Sequence, residues 1–309
     1  MAITNMNKEN NKDYRKNSLW RLTMRRILKQ RSAMIGISII VFLLLVAIFA
    51  PLIAPYEPDQ ILIGIEDVRK REKPCIHLLG CDPEKPQHIL GIDGNVRDQF
   101  SRLVYGTRIS LYVGIVTAAL SIFIGVILGA IAGYAGGWVD NVIMRLLDVL
   151  MAFPALLLAI AIVNVLGRGL SNALLAITIV SVPRYARVMR SSVLSVKEEE
   201  FVSASRALGG SHFHILFSRI LPNAIPSLIV QGTLGVGSAI LNAAALSFLG
   251  LGAQPPTAEW GTMLGTERNQ VFTAPHLVFY PGLAIMLTVL AFNLLGDGLR
   301  DAIDPRLKH

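Results

Sequence analysis

The sequence predicts an all-α membrane protein with six transmembrane helices. The chain of 309 residues has a mean hydropathy of +0.54, and only 16% of its residues are charged, a composition too apolar for an ordinary soluble domain. Its apolar residues are gathered into six stretches, each close to the roughly 20 residues that a helix needs to cross a bilayer. The six predicted spans are residues 33–54, 109–134, 142–166, 170–189, 225–246 and 277–295.

The positions of lysine and arginine predict how these spans are oriented. Cytoplasmic segments of membrane proteins are enriched in basic residues, and the intervening segments that would lie outside near residues 167–172 and 250–276 offer only Arg168 and Arg268. Both termini and the loop after the fourth span are therefore expected in the cytoplasm. The net charge of +8 indicates contact with anionic membrane lipid, and no nucleic acid partner is expected. The basic groups are Lys8, Lys12, Arg15, Lys16, Arg21, Arg25, Arg26, Lys29 and Arg31, then Arg184, Arg187, Arg190, Lys197, Arg206 and Arg219, and finally Arg300, Arg306 and Lys308.

The N-terminal part of the chain predicts a cytoplasmic tail followed by the first span. Residues 1–32 form a basic tail whose second half, residues 19–31, is amphipathic. Residues 33–54 form the first transmembrane helix. A secretory signal peptide is the alternative, but its basic region would be about 30 residues long and its apolar run is as long as a span, so an uncleaved anchor is predicted.

A polar segment rich in proline follows at residues 55–106 and is predicted to be an extracytoplasmic insert. Its prolines and mixed charges exclude a span, and its last residues read as a short amphipathic helix that leads into the second span. The only two cysteines, Cys75 and Cys81, lie in it, six residues apart, and would close a disulfide if that face is oxidising. A metal site that uses His77 or His88, and free thiols, are the alternatives.

Residues 107–297 hold the other five spans, joined by short connections, and residues 298–309 form a cytoplasmic tail. Small residues at helical spacing along the second span would let a neighbouring helix approach closely. Pro154 and Pro183 lie inside the third and fourth spans, where proline removes a backbone hydrogen bond and bends a helix. Such bends serve either as hinges or as ordinary packing features. The small residues are Gly114, Gly125, Gly129 and Gly133.

The connection between the fourth and fifth spans is a polar, basic segment at residues 201–226. Its first eight residues predict a short helix, which ends at Gly209 because a residue without Cβ adopts the left-handed cap conformation easily. Phe213, Leu216 and Phe217 then recur at helical spacing among histidine and arginine, which indicates a helix at a water boundary. A protein that only resides in a bilayer needs no such loop, so we expect another protein to bind it.

No catalytic motif is present in the sequence, so the chain is not expected to be an enzyme or to hold a cofactor. A nucleotide-binding loop needs Gly-Lys followed by Ser or Thr, and no Gly-Lys pair occurs. Arg145 and Asp148 stand three residues apart in the third span and are predicted to form an intramembrane ion pair. A proton-coupled carrier that uses Asp148 as its relay is a rival hypothesis.

The segment and the topology together resemble the membrane permeases of ATP-binding-cassette (ABC) importers. Residues 203–209, Ser-Ala-Ser-Arg-Ala-Leu-Gly, followed by Ile-Leu-Pro-Asn, are similar to that family's coupling motif of Glu-Ala-Ala, then Gly, then Ile and Leu-Pro. Two residues depart from the motif, because Ser203 stands at the usual Glu position and Ser205 at the second Ala. The resemblance implies a coupling loop at residues 190–224, with Arg206, Ala207, Leu208 and Gly209 at the ATPase contact. The full set of implied coupling residues is Ser203, Ala204, Arg206, Ala207, Leu208, Gly209, Leu221 and Pro222.

Other matches are similar to the C-type permease of dipeptide and oligopeptide importers. They lie at residues 244–261, which include AALSFLGLGAQPP and Glu-Trp-Gly, at residues 292–305, and around residues 51–58 and 103–111. The resemblance covers nearly the whole chain except the insert around residues 65–86. It implies the transmembrane domain of a type I ABC importer, in the inner membrane of a prokaryote.

The resemblance also implies a mechanism and a set of partners. The mechanism is alternating access, in which ATP-driven closure of two ATPase subunits pushes on the coupling loop. ATP and Mg are then bound by those ATPases, a homologous B-type permease completes the membrane part, and an extracytoplasmic binding protein delivers the peptide. Nickel, glutathione and opine importers share these motifs, so another cargo is an alternative. A scaffold protein, in which the loop is only a surface helix, is the second rival.

Overall fold

The computed structural model describes residue 28 and residues 30–303, so nearly all of the predicted basic tail and the last six residues lie outside the described part. The described residues form helices and connections, with no β-strand among them. In chain order the helices are α1 (Arg31–Ile48), α2 (Ala50–Ile53), α3 (Gln99–Ala135), α4 (Gly137–Met151), α5 (Ala155–Leu166), α6 (Leu170–Lys197), α7 (Glu200–Ala207), α8 (His212–His214), α9 (Leu221–Phe248), α10 (Trp260–Glu267) and α11 (His276–Ile303). A π-helical turn (Ile215–Ile220) joins α8 to α9, and 3₁₀ turns lie at His77–Leu79 and Arg268–Gln270.

Four segments of the described chain are long and apolar enough to cross a membrane, namely α1, α3, the continuous helix from α8 to the end of α9, and α11. Helices α4 and α5 make a fifth when the bent pair is counted as one span. The predicted fourth span corresponds to α6, which is long enough but carries Arg184, Arg187 and Arg190 in its second half. A helical membrane protein is therefore confirmed, with four or five apolar spans where the sequence predicted six.

The predicted third span is broken into two helices that meet at 90°. Helix α4 ends at Met151, and Pro154 precedes the first residue of α5. Proline has no N–H to donate and disfavours the helical conformation of the residue before it, here Phe153, so the helix cannot continue. The bend predicted at Pro154 is present and is sharper than a kink, whereas α6 runs through Pro183 without interruption.

Glycines bring α3 and α6 into close contact, as the small-residue pattern predicted. A Cβ built on Gly133 would lie 2.9 Å from the carbonyl oxygen of Arg190 and 3.0 Å from Cβ of Val193. A Cβ on Gly125 would lie 2.6 Å from Cβ of Tyr185. Side chains larger than hydrogen do not fit at these positions, so the backbones of the two helices approach closely between Gly125 and Gly133 of α3.

The insert packs onto the start of α3 as a folded unit. Buried His88 lies between two carboxylates, with Nδ1 2.8 Å from Asp98 and Nε2 3.0 Å from Glu66. Asp98 also caps α3, because its carboxylate accepts a hydrogen bond from the backbone N–H of Ser101. Arg102 of α3 donates to the carbonyl oxygens of Pro58, at 2.6 Å, and Pro256, at 3.1 Å. We call this side of the molecule the insert end.

Cys75 and Cys81 are joined by a disulfide in the structure, with Cα atoms 5.4 Å apart. The backbone N–H of Cys75 also donates to the carbonyl of His88, 2.9 Å away, which ties the disulfide loop to the histidine. The ring of His77 contacts the carbonyl of Lys85. Within the described part of the chain no group of three metal-binding side chains is assembled, so the alternative of a metal site has no support here.

Candidate functional site

The segment between α6 and α9, residues 198–220, lies at the opposite end of the bundle from the insert. We call these residues the coupling segment and this side of the molecule the coupling end. Helix α7 ends at Ala207 and is capped by Leu208, after which Gly209 adopts a left-handed conformation with φ of +79°. The N–H of Gly209 donates to the carbonyl of Arg206, and that of Gly210 donates to Ser205, each at 3.0 Å. This is the capped stop predicted from the sequence, and it fixes the direction in which the chain leaves α7.

The second half of the coupling segment re-enters the membrane helix through a π turn. Ser211 begins it, and its hydroxyl accepts a hydrogen bond from the N–H of His214 at 3.3 Å. The chain then widens into the π turn Ile215–Ile220, which precedes Pro222. Because Pro222 has no N–H to donate to the carbonyl of Ser218, an ordinary α turn would lose a hydrogen bond there. The sequence did not predict the π turn, because prolines near the start of a helix, here Pro222 and Pro226, are not specific to such a turn.

The inner face of the coupling segment is firmly anchored to the bundle. Val202, Ile215 and Ile220 are fully buried and pack in one cluster with Met189 and Val193 of α6. Burial of side chains of this size stabilises by about 1.5–3 kcal/mol each. The segment therefore moves together with α6 rather than as a free loop.

Polar contacts tie the same segment to the end of α3. The Tyr134 hydroxyl lies 2.8 Å from Nδ1 of His212. Lys197, the last residue of α6, donates to the carbonyl of Tyr134 at 2.9 Å. The sequence did not predict these contacts, because they join residues that lie far apart in the chain.

The outer face of the coupling segment exposes large apolar side chains. Leu208 is 88% exposed and Phe213 is 71% exposed, and the Phe213 and Phe217 rings stack with centroids 4.3 Å apart. Phe201 and Arg206 of α7 are also exposed. We call Phe201, Leu208, Phe213 and Phe217 the apolar patch. Exposed apolar clusters rimmed by polar residues mark protein interfaces.

The residues implied as coupling residues are exposed, with one exception. Leu221 is half-buried at the start of α9. Of these residues only Leu208 belongs to the apolar patch. Two other members of the patch, Phe213 and Phe217, were identified in the sequence by their helical spacing. The exposed members are Ser203, Ala204, Arg206, Ala207, Leu208, Gly209 and Pro222.

The predicted ion pair between Arg145 and Asp148 is corrected by the structure. Asp148 accepts a hydrogen bond from Arg187 of α6, at 2.6 Å, rather than from Arg145. Helical side chains point toward the N-terminus of their helix, so Arg145 extends away from Asp148, which lies one turn further on. One turn along α6, Arg190 makes a two-pronged ion pair with Asp140, so α4 and α6 are joined by two charge pairs.

A cavity of about 320 Å³ lies where α4 and α5 break, between them and α6 and α9. Arg184 lines it near the middle of α6, fourteen residues after Leu170 and thirteen before Lys197. Gln231 of α9 lies against the Arg184 guanidinium, and the oxygen of its amide accepts from that group in the orientation that pairs donors with acceptors. Other residues that line the cavity are Met151, Phe153, Ser181, Ser238 and Asn242.

The fold and the coupling segment are those of a transport permease, and comparison with known families agrees. Residues 125–309 match the family described as binding-protein-dependent transport system inner membrane component. Residues 18–74 match the N-terminal transmembrane domain of oligopeptide transport permease C. The chain belongs to the family of binding-protein-dependent transport permeases, as a C-type member and a multi-pass inner-membrane protein.

Similar proteins span almost the whole chain. The dipeptide transport system permease protein DppC of Alkalihalophilus pseudofirmus is 47% identical over 291 residues, which cover 94% of this chain and 91% of that protein. The glutathione transport system permease protein GsiD of Pectobacterium atrosepticum is 43% identical over 289 residues, which cover 94% and 92%.

Two solved structures share the fold at low sequence identity. An inward-facing form of the MetNI methionine ABC transporter superposes with a TM-score of 0.56 at 18% identity, over 66% of this chain and 97% of that chain. An amino acid ABC transporter crystallised with histidines gives a TM-score of 0.52 at 16% identity, over 65% and 94%. At this identity the likeness shows the fold alone.

Proposed function

We propose that this chain is the C-type membrane subunit of an ATP-driven importer that moves dipeptides or short oligopeptides by alternating access. The observation that carries the proposal is the apolar patch, an exposed surface on a segment whose other face is buried in the bundle. A similar protein that transports dipeptides supports the choice of cargo.

The geometry of the coupling segment suits it to transmit motion. A partner that binds the patch would push on Phe213 and Phe217, and the buried side chains behind them, Ile215 and Ile220, would pass the displacement to α6. A packed element transmits rigid-body motion, whereas a mobile loop would absorb it. Ser203, which replaces the usual carboxylate of the motif, is exposed and offers only a hydroxyl.

In the proposed complex, four kinds of partner surround this chain. A homologous B-type permease completes the membrane part, and two ABC ATPase subunits bind the coupling segments and hold ATP and Mg. An extracytoplasmic binding protein delivers the peptide, and membrane lipid surrounds the bundle. The chain itself is proposed to hold no cofactor and to catalyse no reaction.

We further propose that the coupling end is cytoplasmic and the insert end extracytoplasmic. The basic residues of the coupling segment and the disulfide of the insert both support this orientation, since disulfides persist on oxidising faces. With α6 counted as a span beside the bent α4–α5 pair, the spans number six and both termini are cytoplasmic. The proposed divisions are residues 1–32, 33–54, 55–106, 107–297 with the coupling loop at 190–224, and 298–309.

Two other cargoes and one other transport mechanism have less support. Glutathione is the second candidate cargo, because GsiD proteins are 43–45% identical to this chain, and nickel is a third. A proton-coupled carrier would use Asp148 as its relay, yet Asp148 forms an ion pair with Arg187. Uptake that continues under an uncoupler but stops without ATP would argue against the carrier.

The proposed function is tested by reconstituting the complex in proteoliposomes with its ATPases and binding protein. We expect ATP-dependent uptake of a labelled dipeptide. Phe213→Ala should weaken ATPase binding about tenfold or more, because exposed aromatic residues dominate interface energies, and should lower uptake in parallel.

Phe272→Ala is the matched control, because Phe272 is 98% exposed but lies in the connection between α10 and α11. This variant should bind the ATPases and import the dipeptide normally. Uptake without any ATPase, or equal effects of the two substitutions, would contradict the proposed role of the patch.

A further inference from the structure

We propose that Arg184 binds the free carboxylate of the cargo inside the cavity between the α4–α5 break, α6 and α9. The inference deepens the proposed function, on which it rests, by naming a residue of the translocation path and the chemical group that it recognises.

The first argument comes from the three arginines of α6, which follow one another at three-residue spacing. Arg187 is neutralised by Asp148, and Arg190 by Asp140. None of the ion pairs within the described residues involves Arg184. Its neighbour is the neutral amide of Gln231, whose oxygen takes up two of the five N–H donors of a guanidinium.

The second argument is the position of Arg184 along α6, where its side chain is exposed rather than enclosed by the bundle. At about 1.5 Å of rise per residue, it lies roughly 20 Å from either end of α6. A cationic side chain within a membrane helix generally faces a water-filled cavity or a functional partner. The structure provides such a cavity, because Arg184 lines the space left by the break before Pro154.

The third argument is the chemistry of the cavity walls. A guanidinium presents a planar fork of donors that matches a carboxylate and forms two parallel, charge-assisted hydrogen bonds with it. Ser181, Ser238 and Asn242 add neutral polar groups, while Met151 and Phe153 provide an apolar wall for a side chain. The volume of about 320 Å³ lies in the range of small-molecule sites.

These properties define the class of cargo. A short peptide or a related zwitterion with a free carboxylate is attracted by the guanidinium, and a bare divalent cation is repelled. Dipeptides and glutathione both satisfy this chemistry, and nickel ion does not.

The test labels the cavity directly in the purified, nucleotide-free complex, without the binding protein. Ser181→Cys places a free thiol on the cavity wall, and both native cysteines of this chain are bonded to each other. An uncharged, water-soluble maleimide is applied while dialanine or its C-terminal amide is added at millimolar concentration, and labelling of this subunit is followed on a gel.

We expect the thiol to react and dialanine to slow the reaction, whereas the amide does not. In an Arg184→Gln background the half-protecting concentration of dialanine should rise about tenfold or more, the effect of losing one charge-assisted contact. An Arg187→Gln background is the matched control for loss of charge from the same helix and should keep the wild-type protection. Ile179→Cys, which lies about 140° around α6 from Arg184, should show no peptide-dependent protection.

The proposal is overturned if Cys at position 181 does not react, if the amide protects as well as dialanine, or if Arg184→Gln leaves protection unchanged. These outcomes are separate from failure of the proposed function. A wild-type complex that imports no peptide when supplied with ATP overturns the importer assignment, while the labelling result still decides the role of Arg184.

Discussion

Gly209 shows how one residue without a side chain shapes the coupling segment. Its φ of +79° is strained for other residues, yet a Cβ built there would meet nothing within 4 Å. Gly209→Val should therefore cost about 1–2 kcal/mol in backbone conformation rather than in steric clash, and redirect the chain after α7. We expect ATP-driven uptake and ATPase co-purification to fall severalfold while the subunit still folds.

Asparagine tolerates the left-handed conformation better than other residues with a side chain, which makes Gly209→Asn the control. This variant should retain most of the uptake. If valine and asparagine behave alike, the conformation at Gly209 is not what positions the patch.

At this scale the sequence was most informative where backbone chemistry is local. Gly209 was identified from its own φ preference and its place after a short helix. Arg145 was assigned to Asp148 from spacing alone, and the true partner, Arg187, is thirty-nine residues away. Arg184 was named only among the basic residues that predict the orientation, because its separate role depends on which neighbouring arginines pair with carboxylates, and this is a property of the packed helices.

Close packing of α3 on α6 predicts a marked difference between two glycine substitutions. Gly133→Ala would bring a methyl group to 2.9 Å from the Arg190 carbonyl, and such overpacking costs about 1–3 kcal/mol. Gly282 of α11 has only one atom within reach of a new Cβ, Leu264 Cδ2 at 4.0 Å, so Gly282→Ala should be neutral or stabilise the helix by about 0.5–1 kcal/mol. Thermal unfolding in detergent measures both, and equal melting temperatures would contradict the close helix contact.

The insert is expected to lose stability as pH rises, because of His88. Burial disfavours its charged form, but hydrogen bonds and charges from Asp98 and Glu66 outweigh this and raise the pKa of His88 above its usual 6.5. Protonation then stabilises the folded insert fully below about pH 6.5, and this contribution is lost as pH rises through the higher folded pKa. Tyr56 does not share the transition, because burial and its hydrogen bond to Glu66 raise the pKa of the phenol as well.

Hydrogen exchange of residues 88–98, corrected for intrinsic rates, provides the measurement. Protection should decrease between pH 6 and pH 8.5 in the wild-type protein and stay level in His88→Gln, which has no titrating ring. A wild-type insert whose protection rises over this range would show that the carboxylates do not hold a proton on His88.

The sequence predicted helices whose formation depends on the length of an apolar run. It predicted less well the features that depend on contacts between distant parts of the chain. The long apolar helices α3 and α11 follow from composition, and Pro154 marked the break after α4. The 90° angle at that break depends on what α5 packs against, which no local pattern contains. The insert was predicted only as a fold or a loop, because its order comes from ion pairs such as that between Arg71 and Glu267, 196 residues apart.

For the molecule as a whole, the proposed orientation predicts the side from which each end is reached. After mild reduction of intact cells, a membrane-impermeant maleimide should label Cys75 and Cys81. A cysteine introduced for Ser203 on exposed α7 should react only in inverted vesicles. The reverse pattern would place the coupling end outside the cell and contradict the proposed contact with ATPases.

The insert end has one more consequence, which lies in how α3 is held. Fully buried Trp260 donates its indole N–H to the carbonyl of Leu103 at 3.1 Å, beside the anchored Arg102, so the first turns of a 37-residue helix are clamped. That helix is about 55 Å long, so a displacement of about 3 Å at its coupling end would tilt it by only about 3°. In the proposed importer, we expect the clamped end of α3 to stay almost still while its coupling end moves.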